Sequence, residues 1–133
     1  MAIQLGTTAR NARLDQIEST IGTSAILKIR TGAQPADCAT ADSGTVLATL
    51  NLPSDWMAAA SGGSKAKSGT WQDASADATG TAGHFRIYDS GGSTCHIQGS
   101  CGIGSGDLQL DNTSIAAAQN VTITAFTLTD GNA

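Results

Sequence analysis

Aromatic and charged residues are scarce in this chain: of 133 residues only 4% are aromatic and 14% charged. A core with few large rings must be laid down in thin aliphatic layers. Each small side chain then contributes little, at about 25 cal/mol per Å² of apolar surface buried. Stabilisation by neighbouring subunits is therefore expected. Basic residues are also few, seven against eleven acidic ones, for a formal net charge of −4. They are scattered from Arg10 to Arg86 without a run, which argues against a phosphate-backbone partner and so against nucleic acid. No apolar run has the length needed to cross a bilayer, and no membrane partner is expected. The start, Met1 to Gly6, lacks the charged and apolar segments of a secretory signal, so synthesis in the cytoplasm is the expectation.

Cysteine is limited to Cys38, Cys95 and Cys101, neither a C-x-x-C pair nor an even set. A zinc ribbon and a closed disulfide framework are thereby disfavoured. Cys95 alternates in phase with Ile97 and is expected to point inward as a small hydrophobe. Cys101 lies six residues later in a Gly-rich turn, within reach of a local bridge if the hairpin folds back, and Cys38 lies in a loop. Reduced thiols suit the cytoplasm, and a disulfide among the three is the alternative.

What the chain has in quantity is strand pattern. Asn120 to Thr129 alternates Thr with apolar residues almost throughout, which only an extended strand with one buried face can use. The habit recurs in Ala25–Arg30, Thr45–Leu50, His84–Tyr88 and Cys95–Gln98, each bounded by Gly, Ser, Asn, Asp or Pro. Several short strands at this spacing predict a mainly β fold, an antiparallel β-sandwich of Ig-like or jelly-roll-like type. In detail, strands are expected over 24–30, 45–52, 65–72, 84–89, 94–98, 107–110 and 121–129. A loop is expected over 31–43, a short helical turn over 54–60, a loop over 73–81 and a connection over 112–119. His84–Asp89 and Thr94–Gln98 read as a hairpin around Gly91-Gly92. In the last strand Val121, Ile123 and Ala125 share one face but Phe126 and Leu128 the other, so a bulge near Ala125 or burial on both faces is expected.

The beginning differs. Thr7 or Thr8 is placed to cap a helix running to about Thr20, with Leu14, Ile17 and Ile21 on one face and Gly22 as its stop. Its charges oppose the helix dipole, Arg10 and Arg13 early, Asp15 and Glu18 late. Such a helix must be held by packing, on its own sheet or on another subunit. The chain thus divides into an N-terminal arm and helix, residues 1–22, and a β domain, residues 23–133. Leu14, Ile17, Ile21, Phe126 and Leu128 are the candidate interface residues.

Sites for chemistry are weakly marked. Gly102 to Gly106 looks like a phosphate-cradling loop, but strand-like residues follow it instead of a helix, and no Lys follows as in a P-loop. Asp73 to Gly80 spaces oxygen side chains as calcium loops do, yet its Gly comes late and no Glu closes it. His84 and His96, in phase with Arg86, Tyr88 and Gln98, can face each other beside Asp89, although a polar outer sheet face is the plainer reading. Trp56, Trp71 and Tyr88 are candidates for an exposed sugar-stacking platform, but core or edge packing is the plainer reading of three scattered rings, with Trp71 expected near a surface edge. No nucleophile motif such as G-x-S-x-G and no believable pair of cleft carboxylates is present. No enzyme activity, metal or cofactor is expected.

Four segments, Thr7–Ile21, Ser68–Asp77, Thr81–Ser90 and above all Leu108–Thr129, resemble a family of small virion structural proteins of tailed bacteriophages and prophages. The resemblance covers most of the chain. It implies a part of the virion, made in the host bacterial cytoplasm and in contact with other virion proteins. Those partners are the major capsid protein for a capsid-decoration subunit, or tail and neck proteins for a tail, neck or fibre appendage with a host-surface or glycan-binding role. It also implies a homotrimer, because decoration proteins usually occupy local three-fold positions. Cys95 and Cys101 fall outside the family's pattern.

Overall fold

In a computed structural model, which describes residues 3–131, the alternating segments do become strands. Among the described residues one helix, α1 (Thr7–Ile21), precedes nine strands: β1 (Ile26–Thr31), β2 (Val46–Asn51), β3 (Ser64–Ala66), β4 (Gln72–Asp73), β5 (Gly80–Tyr88), β6 (Cys95–Gly102), β7 (Leu108–Leu110), β8 (Ser114–Ile115) and β9 (Val121–Thr129). The fold is mainly β, with one N-terminal helix and a single curled sheet. Its strand order is β2-β1-β5-β6-β7-β9-β3, with β4 also pairing β9 and β8 pairing β5. Every pairing is antiparallel except β6 with β7. The switch expected in the last strand is a register shift, in which Gln109 pairs Ala125 and Leu110 pairs Ile123, leaving Thr124 over.

The core fills the concave side with Leu27, Ile29, Leu47, Leu50, Ile87 and Ile123, and with the few large rings the chain owns. Trp71 sits 5.9 Å from the ring of Trp56 and 5.5 Å from that of Phe126, which in turn meets Phe85 at 5.6 Å. Both Trp residues are fully buried, in keeping with core packing and against a sugar-stacking platform, and Trp71 does not lie near a surface edge as expected. Their indole N–H groups find carbonyl partners inside, Trp56 donating to Gly22 and Trp71 to Trp56 and Ser68. With that polar atom satisfied, burial of the ring gains its full apolar area.

Four local expectations change. The N-cap of α1 is Gly6, with no side-chain cap, so neither Thr7 nor Thr8 plays that part; Gly22, at φ 90°, does end the helix. Residues 54–60 form no helical turn, and Met57 instead makes an isolated bridge to Lys67. The strand expected over 65–72 is broken into β3 and β4 because Gly69, at φ +71°, turns the chain between them. Within the expected connection at 112–119 lies the short strand β8. Among the described residues no helix is long and apolar enough to cross a membrane.

Candidate functional site

The antiparallel register brings an unusual set of polar residues onto one face of β1, β5 and β6. Arg30 pairs with His84, Arg86 with Gln98, and Tyr88 with Cys95. Such a row would ordinarily face water, but here the loop between β1 and β2 lies over it as a strap, and Arg30, His84, Arg86 and Tyr88 are all buried. Asp42 of the strap is the hub. Its Oδ1 accepts from Arg86 Nη1 at 2.6 Å and from the Tyr88 hydroxyl at 2.7 Å, and its Oδ2 from Arg30 Nη2 at 3.0 Å. Burial pushes this carboxyl up, but the hydrogen bonds from Tyr88 and Arg86 and the two guanidinium charges outweigh it and hold the group below the usual carboxylate range. Burial and the bond to Asp42 raise the Tyr88 phenol.

Main-chain atoms complete the strap. Arg86 Nη2 donates to the Asp37 carbonyl at 2.8 Å, and Gln98, which accepts from Arg86 through Oε1, donates through Nε2 to the Pro35 carbonyl at 2.8 Å. His84 Nδ1 lies 2.9 Å from the Gly32 carbonyl, and since a carbonyl only accepts, Nδ1 carries the hydrogen. His84 Nε2 and the Nε of its register partner Arg30 are both buried and unpartnered. Backbone closeness matters as well: a Cβ on Gly83 would stand 2.1 Å from the Gly32 carbonyl oxygen.

The strap also decides the cysteines. A register shift between Ile87 and Tyr88 takes Cys95 out of phase with Ile97 and sets it opposite Tyr88 on the covered face, and Cys38 follows directly on Asp37, so the two side chains are neighbours. Burial first, and the neighbouring Cys38 second, push the Cys95 thiol up to about 12. Burial does the same for Cys101, also to about 12. Cys95 and Cys101 occupy one extended strand. At about 3.3 Å per residue they stand roughly 20 Å apart, against a Cα separation below about 7 Å in a disulfide, so the local bridge between them is ruled out.

A second cluster fixes the helix. Lys65 on β3 is almost wholly buried, and its Nζ meets Asp15 at 2.6 Å, Glu18 at 2.7 Å and the Ala58 carbonyl at 2.9 Å, one acceptor for each of its three hydrogens. These bonds outweigh the effect of burial and raise the ammonium above its ordinary value, while Asp15 is lowered by Lys65 and by the Ala60 N–H. The acidic residues that oppose the helix dipole are the ones that hold Lys65. Asn11 accepts from Gly63 N, and Arg13 pairs with Asp130 at 3.1 Å, so α1 is docked on its own sheet.

Of the candidate interface residues, Leu14, Ile21 and Phe126 are buried within the chain, which removes them from a free surface. Ile17 is 36% exposed between two clefts, one of about 510 Å³ reaching Thr129 and Asp130, the other of about 240 Å³ reaching His96. Leu128 is half-buried in a third cleft, of about 420 Å³, with Phe85, Ile97 and Gln98. That cleft is a seam in the sheet: β6 meets β7 only from Cys101 onward, and β9 pairs β7 only as far as Phe126.

The remaining candidates have structural duties. His84 pairs with Ser100, so it does not face His96. Asp73 accepts from the backbone of Thr49 and Ser75, and Asp77 from the Thr49 hydroxyl, which ties the would-be calcium loop to β2. Asp107 folds back to bond Ser100 across the Gly-rich turn. Among the described residues no group of three His, Cys, Asp or Glu side chains is placed to hold a metal. Lys65 and Asp42 carried no signal of their own in the sequence. No protein-family model, characterised protein or solved structure matches the chain.

Proposed function

We propose that the protein is a structural component of a tailed-bacteriophage virion, an accessory or decoration subunit outside the capsid that stabilises the particle through subunit contacts. The observation that carries this reading is the use made of buried charge. Arg30, Lys65, Arg86 and Asp130 are each paired, and each ties a loop or the helix to the sheet. A catalytic site keeps a perturbed group facing a cleft, ready to exchange a proton. A static tie does the opposite.

On this reading the curled sheet is a sandwich-type body, and copies associate as a homotrimer through the surface around Ile17, Leu128 and the neighbouring clefts. The partner is the major capsid protein. Glycan stacking on Trp56, Trp71 and Tyr88 forms no part of the proposal, since all three rings are buried.

The test is cryo-EM of purified infectious particles of the parent virus, together with light scattering of the isolated chain and its Ile17→Glu variant. Density at three-fold positions of the capsid lattice, and a trimer that Ile17→Glu dissociates, are expected. Density confined to neck, tail or fibres would make the protein an appendage subunit, and its absence from particles would end the virion reading.

A further inference from the structure

We propose that Cys38 and Cys95 form an intrachain disulfide that clasps the strap to the sheet when the protein meets an oxidising medium, with Cys101 remaining a free thiol. The inference rests on the strap's geometry and not on the virion reading.

Three independent restraints bring the two thiols together. The register of β5 and β6 sets Cys95 opposite Tyr88, on the face that carries Arg86 and Gln98. Arg86 and Gln98 hold the carbonyls of Asp37 and Pro35 at 2.8 Å each, which fixes the strap residues immediately before Cys38 over that face. Asp42, four residues beyond Cys38, is held by Arg30, Arg86 and Tyr88. Cys38 is therefore anchored on both sides, over the face that carries Cys95. Cys101 lies at the far end of β6, where its neighbours are the Gly-rich turn and Asp107. Pairing it with Cys95 would require β6 to be dismantled, and pairing it with Cys38 would require the strap to leave its anchors on Arg86 and Gln98.

The oxidant is a small-molecule disulfide such as oxidised glutathione. One protein thiol loses its proton and attacks a glutathione sulfur, forming a mixed disulfide and releasing one glutathione thiolate. The second protein thiol then loses its proton and displaces the other glutathione, closing the Cys38–Cys95 bond. The two protein sulfurs are oxidised and the glutathione disulfide is reduced to two thiols. Cys38, on the outer loop, is the residue that meets the oxidant first. Cys95, whose burial disfavours its thiolate, completes the bond from within. A reducing glutathione pool keeps such a pair open, so the bond forms only where the medium is oxidising. It links residues far apart in sequence, which restricts the unfolded chain and strengthens the folded one.

The full chain, purified under reducing conditions, is exposed to oxidised glutathione, and intact mass, peptide fragmentation and urea unfolding are then measured. The expected result is a monomer-internal loss of two hydrogens, a fragment joining Cys38 to Cys95, and a higher urea midpoint than that of the reduced chain. Cys101→Ser should retain all three changes and Cys38→Ser should lose all three. A bond through Cys101, a bond between chains, or full alkylation of Cys38 and Cys95 after prolonged oxidation of the folded protein would overturn the proposal. Should Cys38→Ser fail to fold, the wild-type fragment map still decides the pairing.

Discussion

Lys65 shows how little a residue's type says about its place. An isolated ammonium moved into the interior would lose several kcal/mol of solvation, yet three acceptors converge on this one. The useful contrast is between removing the charge and stranding it. Lys65→Met keeps the stem's packing and leaves behind two carboxylates that still reach water, 48% and 21% exposed, so it strands no fully buried charge and should be the milder change. Asp15→Ala combined with Glu18→Ala leaves the ammonium buried with one carbonyl, and should cost clearly more than Lys65→Met. Urea unfolding of the two variants would check the order, and equal losses would refute it. Trp71→Ala is expected to cost about 3–5 kcal/mol on the same assay, since the ring fills the junction between Trp56 and Phe126. Alternation predicts a strand over 65–72 but cannot say which of its sides is wet. The answer comes from α1, whose acidic side chains cover the side that carries Lys65, and helix docking leaves no mark on strand periodicity.

At the level of the element, the strap between β1 and β2 stands out, because a stretch rich in small polar residues reads as a solvated loop. Its cover over Arg30, Arg86 and Tyr88 depends on Asp42 being ionised. The Asp42 carboxyl is held below its ordinary value of 3.8, so its contribution is complete above that pH and is lost as pH falls through the lower folded value. Wild-type stability should therefore drop below about pH 3.8, whereas Asp42→Asn should begin lower and change less between pH 7 and pH 3. Urea midpoints across that range are the measurement. Asp42 is 40% exposed, so Asp42→Ala at neutral pH should cost about 2 kcal/mol, less than the loss of a fully buried partner. Gly83→Ala pushes a methyl against the Gly32 backbone and should cost about 1–3 kcal/mol, with Gly131→Ala, whose Cβ meets nothing, as the mild control. Element boundaries in this region were well marked by alternation, β1, β2, β5 and β9 all falling within a few residues of expectation. The strap's role was not, because Asp42 bonds partners 12, 44 and 46 positions away.

For the whole molecule, strand content and the single N-terminal helix were legible, since a two-residue and a 3.6-residue period are local properties. Strand order was not, because β9 receives β3, β4 and β7 on different stretches of its length, and no local pattern chooses among such partners. The same blindness affected the rings. Trp56 and Trp71 sit among small and polar neighbours in sequence, and only the curling of the sheet brings a roof over them. Scarcity of large side chains, which pointed to a modest core, proves compatible with a connected aromatic chain through its centre.

The last strand's pairing has a kinetic meaning. Ser64 and Thr129 are about 65 residues apart in sequence, and Gln72 and Thr122 about 50. Loops of that size must close before any of those ladder bonds can form, so their entropy is lost ahead of the return. Refolding should accordingly fall in the slow, millisecond-to-second range of non-local β topologies. Until β9 arrives, Trp71 lacks the Phe126 side of its packing, and its fluorescence would report the closing of the sheet as one late event.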